Sequence, residues 1–401
     1  TLFGMQAINN RSLLAGYVPA DPDLTVPVRR RATAFWGAPP EVLVAAPGRI
    51  EIVGNHVDYN GGEVVAAAID RWVAVAARQR TDNQVRVAAP DAAREAVTFS
   101  LEDATQFDRR DREGQHHWSD YARATLAALR ARGLSVGGID LYYRGTVPQG
   151  FGLSSSSALL VALAAAITRI FGREMDRLEL ARIAQEAEHR TGAPVGLLDQ
   201  TASVVGGVLR FSNDPGRVRL LDAQLLDVEF AVVDSGVRHS LPGSRYPVRV
   251  QECREALRLL QEAGFEIGTL AQLSLDDLGR ALRLLPTPLD QRVWHVVEEV
   301  RRTALAEAAI ESADWQVLGR LMNESGASSA TKYDISHPAV EEIVEVARET
   351  PGVFGARMMG GGDGGAAIVF LEHDALPILE ERLPGNAITR CRISRGLSYI
   401  D

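Results

Sequence analysis

The sequence has 401 residues, of which 46% are hydrophobic, so it is long enough for two domains with their own cores. Its net charge of −9 provides no basic surface for nucleic acid or anionic lipid, and we expect neither partner. Two cysteines, Cys253 and Cys391, argue against a disulfide framework; with no leader-like start and no bilayer-length apolar run, we expect a soluble cytoplasmic protein.

Strand-like and helix-like segments follow one another without regular alternation. Runs with β-branched content and Gly or Asn-Gly punctuation predict strands that begin at Glu41, Val64, Trp72, Val85, Gly138 and Gly206 and lie near Val228 and Val369. Helical periodicity predicts helices over Ser155–Ile170, Asp176–Arg190, Tyr246–Ala263, Leu289–Ala309 and Pro338–Glu349. This order favours an α+β fold over a doubly wound sheet, with a domain boundary near residue 215.

The first polar segment is GRIEIVGNHVDYNGG, residues 48–62. An apolar, β-like run breaks at a glycine and is followed at once by Asn55, His56, Asp58 and Tyr59. Solvated loops are also polar, but few are this dense in groups that donate and accept hydrogen bonds. We interpret the segment as a candidate binding loop.

The segment VPQGFGLSSSSALLVAL, which begins at Val147, combines glycines with the start of a helix. Gly150 and Gly152 permit a tight turn, and the free N–H groups of a helix's first turn favour an anion such as phosphate. Serine hydroxyls add donors and could supply an oxygen ligand to Mg²⁺. The segment lacks the Walker form, and the simpler alternative is a serine N-cap after a turn.

A second glycine cluster, MMGGGDGG, follows Arg357 and precedes a strand-like AAIVF. It would suit a hairpin loop, with Asp363 and Gly364 at the turn. Together with the first cluster, it more naturally predicts the walls of one nucleotide pocket.

These three segments resemble, in order and separation, the three motifs of the GHMP small-molecule kinases, and within that superfamily the chain is similar to the galactokinases. The family's first motif reads GR-x-N-L-I-G-E-H-T-D-Y-N. AEHRTGAPVGLLDQ from Ala187, VRHSLPGSRYPVRVQEC from Val237 and LGRLMNESGASSATKYDISHP from Leu318 resemble further family segments. The resemblance implies two α+β domains, ribosomal-protein-S5-like over 30–215 and ferredoxin-like over 216–401, with the active site between them. Residues 1–29 form an N-terminal extension without a match.

The resemblance implies transfer of the γ-phosphoryl group of ATP to the anomeric hydroxyl of a sugar. Asp199 matches an aspartate beside that hydroxyl, as a base or as an orienting group, and Arg49 matches an arginine near the transferring phosphate. The residues that match the family's sugar contacts are Asn55, His56, Asp58, Gly196 and Tyr246.

The remaining expected roles concern ATP and Mg²⁺. The residues expected at the phosphates are Gly150, Gly152, Leu153, Ser154, Ser155, Ser156, Gly361 and Gly362. Ser156 and Glu188 match the family's Mg²⁺ ligands, and one hydroxyl and one carboxylate suffice for an ion that keeps water and substrate phosphate as its other ligands.

Asn55 stands where galactokinases carry a glutamate that contacts the C6 hydroxyl. We expect this change to remove a negative charge from the C6 end of the pocket, since asparagine both donates and accepts. Galactose is the leading substrate, and a C6-modified sugar such as galacturonate is the alternative. A further alternative, a non-catalytic sensor of sugar and ATP, would not need Arg49, Ser156, Glu188 and Asp199. We expect a monomer or a weak homo-oligomer.

Overall fold

The computed structural model describes residues 16–108, 117–193, 195–213, 217–223, 225, 227–238 and 245–400. Of the predicted N-terminal extension, residues 1–15 therefore lie outside the described residues. Within the described residues both cysteines are free and buried, and no helix has the length and apolarity needed to cross a membrane.

The first half of the chain, with one strand from its C-terminal end, builds an eight-stranded sheet. The strands are β1 Val42–Val53, β2 Val64–Gln79, β3 Gln84–Ala88, β4 Val97–Ser100, β5 Ile139–Gly145, β6 Val208–Phe211, β7 Arg219–Leu221 and β12 Ser398–Tyr399. Their order is β12-β1-β2-β5-β3-β4, with β6 paired to β2 and β7 paired to β6. These strand pairs are antiparallel except β3 with β5.

Helices cover both faces of this sheet. Successive side chains of a strand point to opposite faces, so Val44 and Val75 pack in the main core while Leu43 and Ala74 pack with helix α1. Burial on both sides explains why β1 and β2 are almost continuously apolar. The helices of this half are α1 Pro22–Trp36, α2 Leu101–Thr105, α3 Asp120–Ala131, α4 Ser155–Ile170, α5 Arg177–Arg190 and α6 Leu198–Val205.

The second half contains a four-stranded antiparallel sheet in the order β11-β8-β10-β9. Its strands are β8 Val228–Asp234, β9 Val353–Met358, β10 Ala366–Glu372 and β11 Ile388–Cys391. The accompanying helices are α7 Tyr246–Glu262, α8 Leu275–Leu284, α9 Leu289–Glu311, α10 Trp315–Thr331, α11 Pro338–Arg348 and α12 Leu376–Arg382. Helices α10 and α11 pack against β9. The predicted α+β class is confirmed.

The sheets divide the chain slightly differently from the predicted boundary near residue 215. Strand β7, at Arg219–Leu221, belongs to the first sheet, and the chain returns to that sheet at its end, where β12 pairs with β1. Residues 16–36 also belong to this half, because α1 covers one face of the sheet. Two predicted strands, at Val64 and Trp72, are one continuous strand β2.

Candidate active site

Strand β1 ends in a sharp turn that begins the candidate binding loop. Gly54 has a φ of 111° and His56 a φ of 60°. A Cβ at Gly54 would lie 2.7 Å from the Cα of Val64, so the position accepts only glycine without a shift of the backbone. The chain then forms a 3-10 helix over Asp58–Asn60. The tight path places several polar side chains of consecutive residues on one cavity.

That cavity has a volume of about 340 Å³ and is lined by residues from both halves of the chain. It gathers both predicted catalytic residues and all five predicted sugar contacts: Arg49, Asp199, Asn55, His56, Asp58, Gly196 and Tyr246. Its other lining residues are Glu51, Val195, Leu198, Pro247, Gly360 and Gly361. Segments that are far apart in sequence therefore meet as the motif order predicts.

Arg49 and Asp199 form a bidentate salt bridge at one side of the cavity. Arg49 Nε donates to Asp199 Oδ1 at 2.8 Å, and Nη2 donates to Oδ2 at 2.7 Å. Ser154 Oγ also donates to Oδ2, and Arg49 Nη1 donates to the carbonyl of Gly152. The same two side chains thus connect the cavity with the glycine-serine loop.

The glycine-serine loop is held by its backbone. Gly150, Gly152 and Ser154 all have positive φ angles, of 81°, 69° and 59°, and the backbone N–H of Arg49 donates to the carbonyl of Leu153 at 3.1 Å. Ser154 occupies the N-cap of α4, but its side chain makes no capping hydrogen bond and reaches Asp199 instead. Ser154 therefore stands at the N-cap position, as the simpler alternative predicts, but its hydroxyl is directed to Asp199 and not to the helix.

The second glycine cluster is the loop of the β9–β10 hairpin, as the hairpin interpretation predicts. It also reaches the site, because Gly360 and Gly361 line the cavity. A Cβ at Gly152 would lie 3.7 Å from Met359 Cε, so the two glycine segments face one another. Gly362 packs so closely on the backbone of Ile335 that a Cβ would lie 2.3 Å from its carbonyl oxygen.

Glu188 is buried behind the first turn of α4. Its Oε1 accepts from Ser156 Oγ at 2.6 Å, and its Oε2 accepts from Ser157 Oγ at 2.8 Å and from Gln200 Nε2 at 2.6 Å. Burial raises the pKa of Glu188, against the lowering effect of the two serine hydroxyls. The predicted pair Ser156 and Glu188 is in direct contact.

The sequence and the fold were compared with known proteins. Models of the GHMP kinases N terminal domain, the galactokinase galactose-binding signature and the GHMP kinases C terminal match residues 120–207, 32–79 and 306–387. The galactokinase of Roseiflexus sp. (strain RS-1) is 38% identical over 352 residues, which cover 87% of this chain and 88% of that protein. The chain belongs to the galactokinase family. The human galactokinase is 33% identical over 373 residues, 90% of this chain and 91% of that protein.

A solved structure supports the same family. The galactokinase of Lactococcus lactis, in a crystal structure complexed with galactose, superposes with a TM-score of 0.85 at 26% identity. The match covers 94% of this chain and 99% of that one. The predicted recognition of the family is confirmed.

Four aromatic side chains cluster beside the cavity, and two of them, His56 and Tyr246, line it. The ring of His56 lies 5.2 Å from that of Tyr246 and 5.0 Å from that of Tyr333, measured between centroids. Tyr59 Oη is within 2.9 Å of His56 Nδ1 and 2.6 Å of Tyr333 Oη. Burial, with a smaller effect from nearby His295, lowers the pKa of His56 to about 3, so the imidazole is neutral near pH 7.

Asn55 lines the cavity but is only 1% exposed. Its Nδ2 donates to Glu51 Oε1 at 3.1 Å and to the carbonyl of Gly360 at 3.0 Å, and its Oδ1 accepts from Ser329 Oγ at 3.0 Å. Glu51 lines the same cavity. The expectation that Asn55 removes the negative charge from this end of the pocket is therefore wrong, since a carboxylate lies four residues earlier.

The first motif contains the pattern that could have identified Glu51 as a residue of the site. The family pattern has asparagine where this galactokinase-family chain has Glu51, and glutamate where it has Asn55. Each departure alone suggests a change of charge, whereas the two together exchange an amide and a carboxylate.

Glu299, on helix α9, also supports the site, although the sequence does not indicate this role. It is fully buried, and its Oε1 accepts from the backbone N–H groups of Gly54 and Asn55, both at 3.0 Å, and from Ser325 Oγ. Its Oε2 accepts from Arg302 Nε at 2.7 Å. A residue of the second half thus fixes the backbone of the binding loop, which no local sequence pattern indicates.

Asp363, in the second glycine cluster, pairs with the residue that precedes Tyr246. Arg245 Nε donates to Asp363 Oδ1 at 2.5 Å, and Arg245 Nη1 donates to Asp334 Oδ1 at 2.6 Å. Because Arg245 directly precedes Tyr246, this pairing joins the second glycine loop to the start of α7 beside the cavity.

Proposed function

We propose that the protein transfers the γ-phosphoryl group of ATP to the anomeric hydroxyl of galactose, producing galactose 1-phosphate and ADP. Its membership of the galactokinase family supports a sugar kinase, and the galactose complex of the Lactococcus lactis relative supports the acceptor. The neutral, hydroxyl-rich nature of a sugar also suits a cavity lined by carboxylates, an amide, a neutral imidazole and a phenol.

The observation that carries the proposal is the Arg49–Asp199–Ser154 connection. Asp199 borders the cavity, Ser154 lies at the start of α4, and Arg49 contacts both Asp199 and the carbonyl of Gly152. A sugar hydroxyl at Asp199 would therefore lie next to a phosphate held at the glycine-serine loop. Phosphoryl transfer depends mainly on such positioning and on stabilisation of negative charge.

In the proposed step the hydroxyl oxygen forms a bond to the γ-phosphorus, the bond to the ADP oxygen breaks, and the hydroxyl loses its proton. A carboxylate has about four acceptor positions, and Arg49 and Ser154 occupy three on Asp199, so Oδ1 keeps one for the hydroxyl. Asp199 can thus orient the hydroxyl and receive its proton, while Arg49 offsets the charge that develops on the phosphoryl oxygens.

The donor set near α4 fits Mg²⁺. Ser156 and Glu188 present hard oxygen ligands 2.6 Å apart, and no group of three or more His, Cys, Asp or Glu among the described residues suggests a site for another metal. When bound, Mg²⁺ would neutralise charge on the phosphate oxygens of ATP. Ser157 and Gln200 would hold Glu188 in place.

A coupled ADP-release assay with Mg·ATP tests the proposal on galactose, galacturonate, N-acetylgalactosamine, fucose, arabinose and glucose. We expect the highest kcat/KM on galactose, and no turnover on any of these sugars would reject the kinase and favour the sensor.

We also expect Asp199→Asn to reduce kcat by about 100-fold or more, with ATP binding retained. Equal losses of turnover and ATP binding would instead indicate a structural role for Asp199.

A further inference from the structure

We infer that Glu51, rather than Asn55, recognises the sugar in this chain, in addition to Asp58. Its carboxylate accepts a hydrogen bond from a hydroxyl at the end of the sugar away from Asp199, and it selects neutral sugars over sugar acids. The inference rests on the proposed function, because it names a specificity residue of the same site.

The two oxygens of Glu51 have different surroundings. Oε1 accepts from Asn55 Nδ2 at 3.1 Å and from Arg357 Nη2 at 3.4 Å. Among the described residues no donor reaches Oε2, and this oxygen is not fully buried. Because Glu51 lines the cavity, Oε2 keeps contact with it. One oxygen is thus fixed by the protein and the other is free to accept from a ligand.

Asn55 has no such free donor. Both hydrogens of its amide are used, one on Glu51 and one on the carbonyl of Gly360, and its oxygen accepts from Ser329. An amide that is 1% exposed and paired in this way positions Glu51 and the neighbouring backbone. Asn55 is therefore a positioning residue in this chain.

The strand geometry separates Glu51 from the reacting end of the cavity. Arg49 and Glu51 are two residues apart on β1, so their side chains point to the same face about 7 Å apart along the strand. Arg49 pairs with Asp199, and Glu51 lines the same cavity one side-chain step farther along the strand. A sugar with its anomeric hydroxyl at Asp199 would present another hydroxyl to Glu51.

The charges around the cavity explain the selection against acids. Among the described residues, the lining carries the carboxylates Glu51, Asp58 and Asp199 and one arginine, Arg49, which is already paired with Asp199. Even with Arg357 beside Oε1 of Glu51, a ligand carboxylate would face the net negative charge of this lining, whereas sugar hydroxyls can donate to it. Exchange of the amide and carboxylate between positions 51 and 55 preserves this charge relative to the family motif.

The test compares Glu51→Gln with the parent enzyme at saturating Mg·ATP. The sugars are galactose, its 3-, 4- and 6-deoxy derivatives, and galacturonate. We expect Glu51→Gln to raise the KM for galactose about tenfold or more with little change in kcat, because a charge-assisted hydrogen bond is weakened. The loss should disappear for the one deoxy sugar that lacks the contacted hydroxyl, and the kcat/KM ratio of galacturonate to galactose should rise.

A matched control is Glu63→Gln. Glu63 is also 8% exposed and paired with arginines, Arg210 and Arg217, but it does not line the cavity. It should leave the ratios between sugars unchanged. An equal loss on every sugar in Glu51→Gln, as for a general defect, would overturn the inference.

A second variant covers the case in which Glu51→Gln does not fold. The double exchange Glu51→Asn with Asn55→Glu keeps one carboxylate and one amide at the same end, and it should retain the preference for galactose over galacturonate. Loss of that preference in a folded exchange variant would overturn the inference. Absence of turnover by the parent enzyme on every sugar would instead reject the proposed function itself.

Discussion

The ionised side chain of Asp58 lowers the free energy of unfolding of the ligand-free protein. Burial, followed by the negative charges of Glu51 and Asp199, raises its pKa from 3.8 to about 6. The folded protein therefore holds this proton more tightly than the unfolded chain. Ionisation of Asp58 thus lowers the free energy of unfolding as the pH rises from 3.8 to about 6, and the full loss persists above that range.

We expect Asp58→Asn to stabilise the ligand-free protein by about 1 to 3 kcal/mol near pH 8 and to have little effect near pH 4. The same change should raise the galactose KM about tenfold, because an acceptor is lost from the site. Urea denaturation at both pH values measures the first effect and steady-state kinetics the second. The same change in unfolding free energy at both pH values would contradict the assignment.

The residues that meet at the cavity could be predicted from sequence, but the contacts that fix some of them could not. Arg49, Asp199, Ser156 and Glu188 are brought into pairs that the collinear motifs imply. The burial of Asn55 depends on Ser329 and Gly360, which are far along the chain, so its reduced access to ligand could not be predicted from the first motif.

At the scale of elements, the turn into α4 depends on a strained residue. Ser154 has a φ of 59°, in the left-handed region that a non-glycine residue occupies at a cost of about 1 to 2 kcal/mol. Its hydroxyl donates to Asp199 Oδ2. Ser154 carries both the backbone strain and the hydrogen bond. Substitution by glycine and by alanine can separate the two effects, because both remove the hydroxyl and only glycine relieves the strain.

We expect Ser154→Gly to be about 1 kcal/mol more stable than Ser154→Ala, because glycine accepts the positive φ without strain. Both variants lose the hydroxyl and should lose kcat to a similar extent. Thermal unfolding and the ADP-release assay measure the two effects. A kcat that recovers in the glycine variant would show that the backbone conformation, and not the hydroxyl, supports turnover.

Elements were predicted best where the periodicity is locally consistent, as in α4 and α5. Helix α10, Trp315–Thr331, was not predicted because it contains Gly319, Gly326 and several serines, which disfavour a helix on propensity. The structure gives a tertiary reason. A Cβ at Gly319 would lie 2.2 Å from the carbonyl oxygen of Phe354, so the glycines let α10 lie directly on β9.

For the whole molecule, the site exists only where the two halves of the chain meet. Arg357 of β9 is fully buried, and its Nη1 donates to the carbonyl of Ile52 at 3.1 Å. His295 of α9 lies 3.0 Å from the carbonyl of Asn55 through Nε2. The motifs predict which segments converge, but these supporting contacts join residues hundreds of positions apart and leave no local pattern.

Glu299 is the centre of this junction. Burial opposes its ionisation, but the positive charge of Arg302, with His295 and Arg357, lowers its pKa to about 2. The carboxylate is therefore ionised in the folded protein and contributes stability that is fully present above the unfolded pKa near 4.5. It also holds the N–H groups of Gly54 and Asn55.

We expect Glu299→Gln to lower the free energy of unfolding by about 3 to 5 kcal/mol, because Arg302 would face an amide N–H group and lose its buried counter-charge. The galactose KM should rise as the binding loop loses its anchor. Glu298→Gln is the control, since the neighbouring Glu298 is 24% exposed on its side chain and pairs with Arg301 at 2.9 Å and, at 3.8 Å, with Arg302. It should change stability by less than about 1 kcal/mol. Equal effects of the two substitutions on stability and KM would mean that α9 supports the loop through packing alone, without the buried carboxylate.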